Sequence, residues 1–116
     1  MKKKTGAGEH KRLAAWAADR AEQALPNFED HYPEDDHPRQ AIAAARAWVR
    51  GEIKMTEARK FALAAHAAAR QATRPAAIAA ARSAGHAAAT AHVPGHAKHA
   101  AAYAAKSTAK RSKIKR

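Results

Sequence analysis

The sequence contains no cysteine, which excludes a disulfide framework and any chemistry that depends on a thiolate. Aromatic residues make up 5% of the 116 residues, and valine and isoleucine are also scarce, so strands have few of their preferred residues. No apolar run approaches the roughly 20 residues that a membrane-spanning helix requires. In a signal peptide an apolar segment follows the basic start, and this sequence has no such segment there. The sequence therefore predicts a cytoplasmic protein that has no thiol chemistry and does not bind a membrane.

Alanine is what the sequence has in abundance, and it fills about a third of all positions. It is the best helix former, and the alternation typical of strands occurs nowhere. A chain of this length has room for one modest core. The composition predicts one all-α domain, a compact bundle of about five antiparallel, alanine-rich helices. Because alanine buries little apolar area, the large side chains should fill the core, and we expect Trp16 and Trp48 to be largely buried.

Proline and glycine, with five residues each, set the predicted helix boundaries. Pro26 ends the first helix, and Pro38 and Gly51 enclose the second. Pro75 begins the fourth helix, and Pro94 ends it. The predicted helices cover residues 9–25, 38–50, 57–73, 75–92 and 96–107.

The charge of the chain is strongly basic, since 22 lysines and arginines face 10 aspartates and glutamates and give a net charge of +12. Nine of the basic residues lie at the two ends, and the span between holds thirteen basic and ten acidic residues. We predict a helical domain over residues 9–106, a basic N-terminal tail over 1–8 and a basic C-terminal tail over 107–116. Lysines in such a tail neutralise phosphates without reading bases, so weak, non-specific nucleic-acid binding is one hypothesis. Its candidate residues are Lys106, Lys110, Arg111, Lys113, Lys115 and Arg116.

Motifs for catalysis or cofactor binding are missing from the sequence. Ser83, Ser107 and Ser112 stand outside any nucleophile motif, and no glycine-rich phosphate loop or dinucleotide-binding fingerprint occurs. The acidic run that begins at Glu34 lacks the spacing of a calcium loop. We predict that the protein is not an enzyme and that it has no cofactor.

Eight histidines raise the alternative of a metal site. His92, His96 and His99 are spaced four and three residues apart, as ligands on one helix face are. Pro94 and Gly95 interrupt that helix, however, so we predict no metal site. The alternative is a metal or ligand site formed by His66 and His86 together with His92 and His96.

Those two histidines, His66 and His86, stand among small residues in the third and fourth predicted helices. Their rings need polar partners, and Asp19 and Glu22 of the first helix are the candidates by residue type. We expect both histidines to be mostly buried, neutral near pH 7, and bonded to those carboxylates, to Thr90 or to backbone carbonyls. Such a network would fix the register of the helices.

Three segments together resemble the bacterial and archaeal family of immunity-protein-5-like domains. They are LAAWAADRAEQALPNFED, DDHPRQAIAAARAWVRGEIKMTEARKFALAAHAAAR and AARSAGHAAATAHVPGHAKHAAAYAAK, which lie within residues 13–106. The most distinctive pieces are the WAAD start, the turn DDHPR into AIAAARAW with RGEI after it, and the stretch AGHAAATAHV. The chain departs from the family at Arg20, where relatives often have cysteine, and in its long basic ends.

The resemblance implies a small helical protein that neutralises a toxin partner by binding it. We expect the protein to be a monomer or a homodimer. It also implies a set of binding residues, namely the positions that match the family's polar pattern. An inhibitor that mimics nucleic acid would be acidic, so we do not expect this basic chain to block the phosphate site of a nuclease directly. The predicted binding residues are Asp19, Arg39, Arg59, His66, Arg82, His86, Thr90 and His92.

Overall fold

A computed structural model describes the backbone of residues 6–114 and the side chains of residues 6–111. This part of the chain forms five long helices and one single turn, and it contains no strand. The predicted all-α bundle is confirmed. The helices are α1 (Ala7–Ala24), α2 (Pro26–Glu29), α3 (His37–Val49), α4 (Met55–Gln71), α5 (Pro75–Ala89) and α6 (His96–Ile114).

Proline and glycine set most of the helix ends, as the sequence predicts. Pro26 separates α1 from α2, and Pro38 and Pro75 lie in the first turns of α3 and α5. Gly51 follows α3 with a φ of 79°, in the left-handed region that glycine adopts without a steric penalty. The observed bounds agree with the predicted ones to within about three residues, except at the end of α6.

The predicted end of the last helix at residue 107 is wrong, because α6 continues beyond it. Ser107 is fully buried, and its hydroxyl donates a hydrogen bond of 2.6 Å to the carbonyl of Ala76. The same hydroxyl accepts a 2.9 Å bond from the Asn27 side chain. Arg111 donates bonds of 2.7 Å to the side chains of Asn27 and Asp30. These contacts hold the basic segment against α2 and α5.

The segments predicted as tails lie partly outside the described range. Residues 1–5 and 115–116 are outside it, and with them Lys115 and Arg116. The side chain of Lys113 is also outside the description. Helix α1 begins at Ala7, inside the predicted N-terminal tail.

Alanine forms most of the core. Among the described residues, the buried aliphatic and aromatic side chains larger than alanine are Leu25, Phe28, Pro38 and Ile42. The predicted burial of Trp16 is wrong, since its side chain is 44% exposed, and Trp48 is half-buried. The spacing of packed helices depends on the side chains at the contact, so helices that meet through alanine lie too close together to enclose an indole ring.

Helix α5 is the central element of the bundle. Ten of its residues are buried, and it contacts each of the other five helices. It packs most extensively against α4 and α6, which do not contact one another. Side chains of α4 and of α6 therefore both pack against α5. In the described part of the chain, no helix is long and apolar enough to cross a membrane.

Candidate binding site around α5

Four histidines from three helices lie around one central ring, that of His86 on α5. The other three are His66 of α4, and His96 and His99 of α6. The ring centroid of His86 is 4.9 Å from that of His66, 5.1 Å from that of His96 and 5.3 Å from that of His99. The Nδ1 atoms of His86 and His96 are 3.0 Å apart, so one of these rings donates a hydrogen bond to the other. We call these four residues the histidine cluster.

Gly85 provides the space in which the His66 ring lies. A Cβ atom at residue 85 would be 2.7 Å from Cε1 and Nε2 of His66 and 2.9 Å from its Nδ1. Real Cβ contacts are longer than this, so a larger residue would force the imidazole to move. The Nδ1 atom of His66 is buried and has no hydrogen-bond partner among the described residues. Packing, and not a polar partner, thus holds this ring in place.

Burial and neighbouring charges lower the pKa values of three histidines of the cluster, His66, His86 and His96. Burial, followed by the neighbouring histidines and Arg82, lowers the pKa of His86 to about 4. Burial, followed by the charges of Arg82 and Arg70, lowers the pKa of His66. Burial and nearby histidines lower the pKa of His96 in the same direction. These rings are neutral at pH 7, in agreement with the expectation from the sequence.

The predicted carboxylate partners of the two central histidines are wrong. Asp19 and Glu22 both accept hydrogen bonds from the guanidinium of Arg46, and its Nη1 lies 3.0 Å from Asp19 Oδ1. Both carboxylates are exposed on α1 at the side that meets α3, which places them within reach of this arginine. The Thr90 hydroxyl donates a 2.9 Å bond to the backbone carbonyl of His86, and not to its ring.

The second half of the chain contains no acidic residue after Glu57. Residues 58–116 hold twelve lysines and arginines, whereas residues 1–57 hold ten basic and ten acidic residues, so the whole net charge of +12 lies after residue 57. Arg39, Arg46 and Arg50 of the first half form ion pairs with carboxylates, and Arg111 is the one described cation of the second half that does so. We call residues 58–116 the acid-free half. Its described cations without a described carboxylate partner are Arg59, Lys60, Arg70, Arg74, Arg82, Lys98, Lys106 and Lys110.

A cleft of about 280 Å³ lies between α5 and α6, beside the histidine cluster. The Tyr103 ring forms part of its wall and stacks on the His86 ring, with centroids 5.4 Å apart and planes inclined by 6°. The Lys106 ammonium lies 5.8 Å from the Tyr103 centroid, within the range of a cation–π contact. We call this the basic cleft, and its lining residues are Pro75, Ile78, Ala79, Arg82, Tyr103, Lys106 and Lys110.

Comparison with known proteins identifies the family. A family model described as Imm-5 like putative immunity protein matches residues 3–116, nearly the whole chain. The chain belongs to this family. The match confirms the resemblance and also covers most of both basic ends. No curated protein and no solved structure matches this Imm-5-like chain.

The structure brings together three of the predicted binding residues of this Imm-5-like protein. His66 and His86 are in ring contact, and Arg82, one turn before His86 on α5, lines the basic cleft. Thr90 lies one turn after His86, but it is fully buried and its hydroxyl is engaged by a backbone carbonyl. Thr90 therefore stabilises the end of α5.

The other predicted binding residues lie apart from the histidine cluster. Arg39 and Asp19 form ion pairs that link α3 to α2 and to α1. Arg59 is exposed on α4. The His92 side chain is exposed between α5 and α6, with its Nδ1 3.4 Å from the sulfur of Met55. A binding role for these four residues stays a prediction.

The described part of the chain does not contain the arrangement of ligands that the metal-site alternative requires. No group of three histidine, aspartate or glutamate side chains is placed there to hold a metal ion. Two nitrogen atoms of the cluster, in His86 and His96, face each other at hydrogen-bonding distance. His92, the other histidine of the alternative, lies beside Met55. The absence of a bound metal stays a prediction from the sequence.

Sequence reasoning missed two features of this region. Nothing in the sequence marks Tyr103 as a site residue, whereas its ring joins the histidine cluster to the basic cleft. The acid-free half was also missed, although the sequence contains its signal: no aspartate or glutamate follows Glu57. When the charges are counted for the two ends and for the span between them, this asymmetry is hidden. The span is nearly neutral only because of its acidic residues, all of which lie at or before Glu57.

Proposed function

We propose that this Imm-5-like chain is a non-enzymatic immunity protein that neutralises a toxin protein by binding it through its acid-free half. The observation that carries the proposal is the division of charge, with twelve cations and no carboxylate after Glu57. Cations that the protein does not pair internally can steer an acidic partner into place and pair with its carboxylates. Membership of the family supports a toxin as the class of partner.

The engagement of the buried hydroxyls supports a role in binding and not in catalysis. Ser83 donates a 2.7 Å hydrogen bond to the carbonyl of Ala100, and Ser107 donates one to the carbonyl of Ala76. Both serines are fully buried. A serine nucleophile needs an adjacent base and access to substrate, and these two hydroxyls stabilise helix contacts instead.

Co-expression with a toxin domain tests the proposal. We expect this protein to restore the growth of cells that express the toxin and to co-purify with it as a stable complex. Turnover of a substrate by the purified protein, lost in His66→Ala and His86→Ala, would contradict the binding class. Size-exclusion chromatography tests the predicted monomer or homodimer, and cell fractionation tests the predicted cytoplasmic location.

The same unpaired cations favour a second candidate, weak and non-specific binding to nucleic-acid phosphates. Lys106 and Lys110 lie on α6 without a described carboxylate partner. Deletion of residues 107–116 is a poor test, because it also removes the buried contacts of Ser107 and Arg111.

Substitution of charges is the better test of this second candidate. A variant with glutamine at the four basic positions 110, 113, 115 and 116 keeps those contacts. If the candidate is right, it should reduce retention on DNA at low salt and flatten the salt dependence by about 0.9 in the logarithmic slope for each lost phosphate contact. Unchanged retention, or no retention of the wild type, contradicts nucleic-acid binding.

A further inference from the structure

We infer that the basic cleft binds an acidic peptide segment of the partner protein, with its cations paired to neighbouring glutamate or aspartate side chains. This inference rests on the proposed function and adds to it the chemistry of the partner and the place of contact. It depends on the geometry of one cleft and on the cations that line it.

The spacing of the cleft's cations matches that of carboxylates on an extended peptide. Lys106 and Lys110 are one helical turn apart on α6, which places their Cβ atoms about 5–6 Å apart. Alternate residues of an extended strand lie about 6.6 Å apart on the same face. Arg82, on α5 at the other side of the cleft, offers a planar group that can bind a carboxylate through two hydrogen bonds.

The cleft's cations carry no internal compensation. Arg82, Lys106 and Lys110 have no ion pair with any described residue, and the acid-free half that contains them has no carboxylate side chain. Like charges that line one cleft repel each other, and this repulsion is unfavourable in the free protein. An acidic segment removes this repulsion when it binds. The electrostatic free energy of binding is therefore more favourable at these cations than at isolated surface lysines.

The remaining walls of the cleft are apolar, which suits a peptide better than a bare inorganic anion. Ile78, Ala79 and Pro75 can contact the methylene groups of a glutamate side chain. The Tyr103 ring already stacks on His86, and the described lining of the cleft contains no second aromatic side chain, so the cleft lacks the successive stacking surfaces of a single-strand binding site. The cleft therefore favours an acidic peptide over a single-stranded nucleic acid.

Calorimetric titration with a synthetic hexaglutamate peptide tests the inference. The cleft variant Lys106→Glu/Lys110→Glu is compared with a matched control, Lys60→Glu/Lys98→Glu, which reverses two exposed cations of the acid-free half outside the cleft. Each variant lowers the net charge from +12 to +8, since each reverses two positive charges. We expect the cleft variant to weaken binding about tenfold or more, and the control to change it by less than about threefold.

Three outcomes overturn the inference. One is an equal loss in both variants, which assigns the affinity to general charge. Another is no binding of the peptide to the wild type. The third is tighter, cleft-dependent binding of a twelve-nucleotide single-stranded DNA, which assigns the cleft to nucleic acid. Circular dichroism and melting curves confirm that the variants are folded, and Lys106→Gln/Lys110→Gln serves as the milder pair.

The peptide titration and the growth rescue fail independently. If Lys106→Glu/Lys110→Glu still protects cells from the toxin as well as the wild type does, the cleft is not the contact site, although the proposed function stands. If the wild type does not protect cells but binds hexaglutamate selectively through the cleft, the proposed function fails and the inference about the cleft stands.

Discussion

At the scale of the residue, the most specific contact in the centre of this protein is the packing of the His66 imidazole against Gly85. The backbone of Gly85 lies where a side chain would otherwise be, and the His66 ring occupies that space. The arrangement leaves a buried ring nitrogen without a described partner, which is unfavourable by about 1–3 kcal/mol. Since no hydrogen bond at Nδ1 fixes the His66 ring, its position depends on its packing against Gly85, and we expect stability to be sensitive to the volume of residue 85.

We predict that Gly85→Ala destabilises the protein by about 1–3 kcal/mol, because the added methyl overpacks against the His66 ring. Elsewhere in a helix the same change stabilises by up to about 1 kcal/mol, since alanine has the higher helix propensity. In a His66→Ala background the ring is gone, so Gly85→Ala should become stabilising. Urea unfolding of the four proteins measures this reversal. A stabilising effect in the wild-type background would contradict the packing account.

We predict that the stability of the protein falls as the pH falls from about 6.5 to about 4. The pKa of His86 is about 4 in the folded protein and 6.5 for an unperturbed histidine side chain, so the unfolded chain binds more protons within this window. His66 and His96 act in the same direction, because their pKa values are also lowered. The stabilising effect is complete above pH 6.5 and is lost towards pH 4. Allowing for the partial exposure of His86, it amounts to about 1–2 kcal/mol between pH 8 and pH 5.

Denaturant unfolding at a series of pH values measures this loss, with two variants as controls. His86→Gln should flatten the pH dependence, whereas His31→Gln, at an exposed position outside the cluster, should leave it close to that of the wild type. Equal slopes in the wild type and His86→Gln would show that this histidine is not responsible.

At the scale of the element, the helices differ in how strongly their own residues determine where they end. Pro75 fixes the start of α5 by its ring, and Gly51 can adopt the positive φ that follows α3. No proline or glycine follows Gly95, so nothing local terminates α6, and tertiary contacts decide how far it extends. The buried hydroxyl of Ser107 supplies such a contact beyond the predicted end.

We predict that Ser107→Ala costs about 1–3 kcal/mol of stability. The substitution leaves the buried carbonyl of Ala76 and the amide of Asn27 without this partner. Thr108→Ala removes a hydroxyl from the exposed neighbouring position and should change the free energy of unfolding by less than about 0.5 kcal/mol. Thermal unfolding of both variants measures the difference. Similar melting temperatures would mean that Ser107 does not anchor α6.

The sequence predicts the helices of this fold better than it predicts their neighbours, for a physical reason. Alanine has a strong helix propensity, so the sequence predicts that helices form. Pro26, Pro38 and Pro75 then mark where helices begin or end. The same alanine gives no pattern of large side chains to mark which face of a helix is buried. The sequence therefore indicates that His66 and His86 need partners, but not that the partners are other histidines and a glycine.

At the scale of the whole molecule, a balanced half and a basic half pack into one bundle. The ion pairs of the first half involve Arg39, Arg46 and Arg50, which link its helices and loops to acidic residues nearby. The cations of the acid-free half give α4, α5 and α6 a field of excess positive charge. Such a field favours the approach of an acidic partner, and it also opposes the compact state of the free protein through repulsion between like charges.

We predict that sodium chloride stabilises this protein, so that its melting temperature rises by a few degrees between about 0.02 and 0.3 M salt. Screening weakens the repulsion within the acid-free half, and it also weakens the surface ion pairs of the other half. Exposed ion pairs contribute only about 0–1 kcal/mol each, so the loss of repulsion should exceed the loss of attraction. In Lys60→Glu/Lys98→Glu the net charge is +8, and the salt dependence should be shallower than at +12. A melting temperature that falls with salt in the wild type would show instead that the ion pairs around Arg39, Arg46 and Arg50 dominate the electrostatic free energy.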